Sequence, residues 1–295
     1  MNMADTDLLP IERRPDGIAV VHLVPNPAKP RGGVVVLDAW LIGAIDRSMR
    51  HVAESRATGF LLISDSERVF VAGADLAEID SLDDAALHAY LQAGSTAFGR
   101  IPALACPSAC VIHRAALGGG LELAMHCDAL FGVTPPAGDK GWKVGLPECG
   151  LCICPGWGGT VLLPARIEPA AAIAATMQGA PFDAARPPRG LFESTHASPA
   201  EAAQAAIAWL LAHPRTTPRS APANACDAEH RAMTAAAIPF VRPQAATAAA
   251  IAVIDAVQAG LKDGFGAAVK REQTHLVDLR HTPEARAKLT AFLKR

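Results

Sequence analysis

The chain is poor in charge and carries no surplus of either sign. Asp, Glu, Lys and Arg make up 19% of its 295 residues, with 27 basic against 29 acidic side chains. A nucleic-acid footprint needs Lys and Arg clustered and in excess; here they are scattered and outnumbered, so nucleic acid is not an expected partner. The same low charge beside a 51% hydrophobic content excludes a disordered chain. No apolar run near the N-terminus is long enough for a secretory signal or an anchor, so the expectation is a cytoplasmic protein with no membrane partner. Cysteine is present seven times, an odd number that suits reduced thiols better than a disulfide framework. Cys149, Cys152 and Cys154 have thiolate spacing but no fourth ligand nearby, so buried free thiols and no metal are expected. No G-x-G-x-x-G opens a strand–helix–strand unit, which leaves NAD out of the expected cofactors.

What is present alternates between strand-like and helix-like runs. Ile18 to Val24, Gly33 to Leu37 and Gly59 to Ser64 each read as a short strand. Between the second and third, Leu41, Ile45, Met49 and Val52 form one apolar stripe on a helix begun by Asp38 as N-cap. Asp83 and Asp84 open a further helix to about Phe98, and Cys110 to His113 is a strand. Strand, helix, strand in this order predicts an α/β layer. The chain then changes character: helices are predicted at Pro199 to Ala212, Ala245 to Gly260, Gly266 to Leu279 and Pro283 to Leu293, with a Pro-rich turn segment at His213 to Asn224. The predicted division is an α/β core over residues 1–195 followed by a helical region over 196–295.

Two glycine-bearing turns lead from strand to helix, at Val71 to Leu76 and at Ala116 to Glu122. Such a turn leaves backbone N–H groups unpaired and free to be aimed at an oxygen, although a tight turn needing glycine is the better account of the first segment taken by itself. In the second, Gly118, Gly119 and Gly120 let a ligand approach the backbone, and a carboxylate, Glu122, follows two residues later among Leu121, Leu123, Ala124 and Met125. Glu148 is the only acid in the apolar stretch Val144 to Cys154. Two carboxylates in apolar surroundings mark a functional site, because their burial costs free energy that a partner or a task must offset.

Three stretches, FVAGADLAEI (Phe70 to Ile79), ALGGGLELAMHCD (Ala116 to Asp128) and GLPECGLCICPGWGGTVLLP (Gly145 to Pro164), resemble in order and separation the three signatures of the enoyl-CoA hydratase/isomerase, or crotonase, family. The ending, Gly260 to Leu293, is similar to the close of the hydratase half of multifunctional fatty-oxidation subunits. The resemblance implies an α/β fold, a crotonase-like spiral of β-β-α units with a helical C-terminal part. It implies hydration of a 2-enoyl-CoA, with the N–H groups of Ala74 and Gly119 as oxyanion hole and Glu122 and Glu148 as the acid/base pair. Ala72, Asp75, Leu76, Gly118, Pro155, Gly156 and Trp157 would contact the substrate. Coenzyme A enters as part of the acyl-CoA substrate, with no separate cofactor, and the expected assembly is a homotrimer or homohexamer. An isomerase using Glu148 alone, or a non-catalytic acyl-CoA binder, is the alternative.

The sequence also departs from the family pattern. The stretch between Asp128 and Gly145 is longer than usual, which puts the position of Glu148 at issue. Trp157 stands where a small residue is common, Cys152 where glycine is, and Val161 and Leu162 where basic residues are. The helix start is expected to lower the pKa of Glu122 and apolar burial to raise that of Glu148, leaving Glu148 more often protonated.

Overall fold

The computed structural model describes residues 8–136 and 138–294. After a short edge strand, β1 (Ile11–Arg13), the chain repeats one pattern four times: a strand, a second extended segment, a helix. The first turn is β2 (Ile18–Leu23), residues 35–37 and α1 (Ala39–Glu54); the second is β3 (Gly59–Ser64), residues 70–74, α2 (Leu76–Ser81) and α3 (Asp84–Ala103). The third is β4 (Ser108–Ile112), β5 (Ala116–Leu117) and α4 (Gly119–Met125). The fourth is β6 (Ala129–Val133), β7 (Lys143–Gly145), a 3-10 turn at Glu148–Leu151, α5 (Gly159–Leu162) and α6 (Pro169–Gln178). There follow β8 (Phe182–Asp183), β9 (Ser194–His196), α7 (Pro199–Ala212), α8 (Ala223–Cys226), α9 (Ala228–Val241), α10 (Ala248–Asp263), α11 (Phe265–Leu279) and α12 (Pro283–Leu293).

The first strands of the four turns form one sheet in the order β1-β2-β3-β4-β6-β9, parallel except for β1. Their second segments form another ladder: Leu37 bridges Ala74, Val71 bridges Ala116, and β5 pairs with β7 and β7 with β8. Each turn of chain thus adds one strand to each of two layers, and the result is a crotonase-type spiral of β-β-α units. Burial on both faces explains the continuous apolar strands. One face meets the core containing Leu41, Ile45, Phe60 and Phe98; the other is covered by Ala202, Ala206 and Leu210 of α7.

Local sequence sets the helix ends. Asp38 accepts from Leu41 N at 2.9 Å and begins α1, whose predicted stripe Leu41, Ile45, Met49 and Val52 is buried throughout. Asp83 caps α3 by accepting from Ala86 N, and α3 runs on to Ala103 rather than ending near Phe98. α10 starts at Ala248, later than predicted, because Thr247 caps it and a 3-10 turn, Arg242–Gln244, precedes it. The predicted strand Gly33 to Leu37 is reduced to a single bridge at Leu37; Gly32 and Gly33 take positive φ in a 3-10 turn and carry the chain from one layer to the other. α11 packs against α10, α3 and α5, and α12 against α2 and the Glu148–Leu151 turn, so the C-terminal helices close over one end of the spiral. No helix among the described residues is long and apolar enough to cross a membrane.

The unusually long stretch before Glu148 leaves the ladder undisturbed. β6 ends at Val133, and β7 returns in register from Lys143, Ala116 beside Val144 and Leu117 beside Gly145. Gly118 N donates to Gly145 O at 2.9 Å and pins this register where Glu148 begins its turn.

Candidate active site

A cavity of about 130 Å³ lies where the second segments of the spiral turn into their helices. It is lined by Ala72, Ala74, Leu76, Gly118, Gly119, Glu122, Glu148, Gly156 and Trp157, all of them predicted site residues. Its walls are otherwise mostly apolar, from Ile79, Leu91, Leu117, Ile153 and Leu276. Two predicted contacts fall outside it. Pro155 does not line the cavity, and the Asp75 carboxylate turns away to accept from Ala77 N and Glu78 N at the start of α2 and to pair with Arg31. Burial pushes Asp75 up, but Arg31 and those amides outweigh it and hold the carboxyl below its usual range.

The ladder decides where the Ala74 amide points. Leu37 donates to Gly73 O at 2.9 Å and accepts from Asp75 N at 3.2 Å, which in a parallel bridge turns the N–H of the intervening Ala74 to the opposite side. On that side lies the Ala116–Gly119 segment, to which Val71 is bridged. Gly119 is the first residue of α4, ahead of any intrahelical acceptor, and its cap Gly118 offers no side chain. Gly118 has φ 53 and ψ −128, and a Cβ there would sit 2.5 Å from Glu148 Oε1. Only glycine lets the carboxyl rest on the chain at this point.

Glu122 is 1% exposed, and its Oε1 accepts from Trp157 N and from Gly159 N, both at 2.8 Å. Glu148 is half-buried as a residue, yet its Oε2 is out of contact with water and has no hydrogen-bond partner among the described residues. A third carboxyl completes the group: Glu272, on α11, accepts from Gly158 N at 2.6 Å and from Thr160 N at 2.9 Å. Successive amides of the 157–160 turn therefore alternate between Glu122 and Glu272.

Burial raises all three carboxyls. Glu122 is pushed well above the ordinary carboxylate range by desolvation, then by the charges of Glu272 and Glu148, against its two amide bonds. Desolvation lifts Glu148 to about 8, with Glu272 adding, and lifts Glu272 to about 7 against its bonds to Thr160 and Gly158. The expectation that the helix start would hold Glu122 low is corrected here, because loss of water and two neighbouring carboxyls outweigh a helix of seven residues.

Sequence reading passed over Glu272 because it sits in the polar run Lys270-Arg271-Glu272-Gln273, which resembles a solvated helix face. The available signal was periodicity: Ala268, Glu272 and Leu276 share the stripe that α11 buries. Cys149 and Cys154 are buried free thiols, and Cys152 is a half-buried one. Val161 packs toward Gly260 of α10 and Leu162 enters the main core, so both serve packing where basic residues were the family expectation.

Cys152 has φ 62, a left-handed conformation that costs a side-chain-bearing residue about 1–2 kcal/mol. Glycine relieves that cost but loses more chain entropy on folding, so Cys152→Gly is expected to stabilise the protein by about 0.5–1 kcal/mol. The urea midpoint of unfolding measures it. A lowered midpoint would mean that the thiol's packing outweighs the backbone strain.

A two-layer β-β-α spiral with paired carboxyls and free amides around an apolar cavity defines a class of protein, and comparison gives the family. The sequence model of the enoyl-CoA hydratase/isomerase family matches residues 36–238, and the chain belongs to that family. Among curated relatives, the fatty acid oxidation complex subunit alpha of Shewanella baltica is 35% identical over 157 residues, covering 52% of this chain and 21% of that protein. Its counterpart from Shewanella oneidensis is 36% identical over 160 residues, with the same 52% and 21% coverage. The chain thus spans about a fifth of the length of these relatives. Among solved structures, an enoyl-CoA hydratase from Bacillus halodurans superposes with TM-score 0.67 at 17% identity, covering 96% of this chain and 99% of that one. A carnitinyl-CoA dehydratase from Mycobacterium thermoresistibile gives TM-score 0.68 at 18% identity, covering 98% and 90%. At these identities the structures establish the fold.

Proposed function

We propose that the chain is an enoyl-CoA hydratase, adding water across the 2,3 double bond of a 2-enoyl-CoA thioester. The observation that carries this reading is the presence of Glu122 and Glu148 in one apolar cavity, beside two backbone amides with no partner in the ladder or the helix. Hydration bonds a water oxygen to C3 while a proton reaches C2 and negative charge gathers on the thioester oxygen. The amides of Ala74 and Gly119 would meet that oxygen, an effect worth roughly 2.7–4 kcal/mol per donor in comparable sites. One carboxylate accepts a proton from the water as the other, protonated, delivers one to C2. Burial raises both carboxyls, Glu148 to about 8, and this supports the division of labour, because the pair does not ionise completely near pH 7.

One feature favours a second reading. Glu122 Oε1 is occupied by two amides, whereas Glu148 Oε2 has no partner among the described residues and is suited to carry a proton alone, as an enoyl-CoA isomerase requires. Mixing the protein with crotonyl-CoA should produce a steady loss of enoyl absorbance under the hydratase reading. Conversion of a 3-enoyl-CoA without that loss would establish the isomerase, and binding of acyl-CoA with neither reaction would overturn both. Assembly as a trimer or a dimer of trimers is part of the same proposal.

A further inference from the structure

The cavity has an open and a closed end. Phe292 on α12, 47% exposed, stands at the first, and Trp157, 3% exposed, at the second. The indole is fixed from every side. Its Nε1 donates to Leu91 O at 2.9 Å, and its ring lies 5.7 Å from Tyr90 and 5.3 Å from Phe98 between centroids. Two glycines make room for it: a Cβ on Gly94 of α3 or on Gly119 of α4 would collide with the ring. The ring therefore rests on the Cα of the residue whose amide is assigned to the thioester oxygen, and Trp157 N holds Glu122.

Behind the indole lies an open surface groove between α3 and α11, its rim formed by the exposed Gln92, Lys270 and Thr274, its floor by His126 and Gln273, and Trp157 shared with the cavity. Among the described residues Trp157 alone lines both, so it separates the cavity from the groove. We propose that Trp157 sets the acyl-chain limit of this site: the substrate is a short-chain acyl-CoA, and the indole blocks the way through to the groove behind it. The inference rests on the acyl-CoA reading of the site. With the carbonyl between Ala74 and Gly119 and the reacting carbons at Glu122 and Glu148, the acyl tail continues toward the indole, because the opposite direction leads to the open mouth.

The test is kcat/KM for crotonyl-CoA and 2-decenoyl-CoA with the full chain, its Trp157→Ala variant and its Trp157→Phe variant. Wild type is expected to favour crotonyl-CoA by at least about tenfold, and Trp157→Ala to shift the ratio by at least about tenfold toward the longer substrate. Trp157→Phe keeps an aromatic ring in the core and is expected to shift it less. If Trp157→Ala does not fold, the wild-type preference and the phenylalanine variant decide. If no thioester is turned over, the hydratase reading fails separately, and calorimetric binding of butyryl-CoA against decanoyl-CoA replaces kcat/KM. A wild-type ratio near one, or a ratio unchanged in folded variants, overturns the proposal.

Discussion

Glu148→Gln and Glu122→Gln are each expected to lower crotonyl-CoA turnover by about 100- to 10,000-fold, the usual contribution of a positioned acid or base. The substitution keeps the shape of the side chain and removes its charge and its ability to exchange a proton. Glutamine at 122 retains a carbonyl oxygen that can accept from Trp157 N and Gly159 N, so the 157–160 turn should keep its place. Acyl-CoA product binding is therefore expected to survive in both variants, and the loss should fall on kcat rather than on KM. Isomerase chemistry predicts a different pattern, in which Glu148→Gln abolishes the shift of a 3-enoyl-CoA and Glu122→Gln spares most of it. Steady-state kinetics on both substrates separate the cases. Turnover within about threefold of wild type for Glu122→Gln in hydration would refute the two-carboxyl mechanism.

The same Glu148→Gln change is expected to make the protein more stable at pH 8 while leaving it little altered at pH 5. The carboxyl rises from an ordinary 4.5 to about 8 on folding, chiefly because it is buried. Between those values the folded chain holds a proton that the unfolded chain has lost. The associated stability is present below pH 4.5, falls as pH rises and is fully lost above about 8. At 1.36 kcal/mol per unit the loss is bounded by roughly 4–5 kcal/mol, and coupling to Glu122 and Glu272 makes this residue's own share smaller. Glutamine is neutral throughout and avoids it. His126, driven by burial to about 4, has the opposite pH dependence, and comparing the variant with wild type cancels it. Urea unfolding at the two pH values measures the difference; equal gains at both would mean that the effect is one of packing and not of charge.

Much of the architecture was legible because it repeats rules that act over a few residues. Asp38, Asp83 and Thr282 begin helices because each oxygen reaches an amide three residues ahead. The α1 stripe and the boundaries of α7 and α12 follow from periodicity and from Pro at a first helical position. The glycines before Glu122 and the isolated acid Glu148 marked the site because an unpaired carboxyl among leucines and cysteines is costly.

The sequence by itself thus determined the first strands and helices, most of the C-terminal helices, the two glutamates and the two turns whose amides are candidates for binding an oxygen, whereas β6 to β9, α6 and α9 went unread. Tertiary structure alone decided what surrounds them. Glu272 reaches the site from α11, 150 residues beyond Glu122, and shares the 157–160 turn with it. The indole of Trp157 finds its slot only because Gly94 and Gly119, on different helices, face each other across it. The long segment after β6 is harmless because the β5–β7 register is restored beyond it. Local rules act through neighbouring backbone groups, whereas desolvation, charge coupling and the closure of a cavity depend on atoms that only the folded chain brings together.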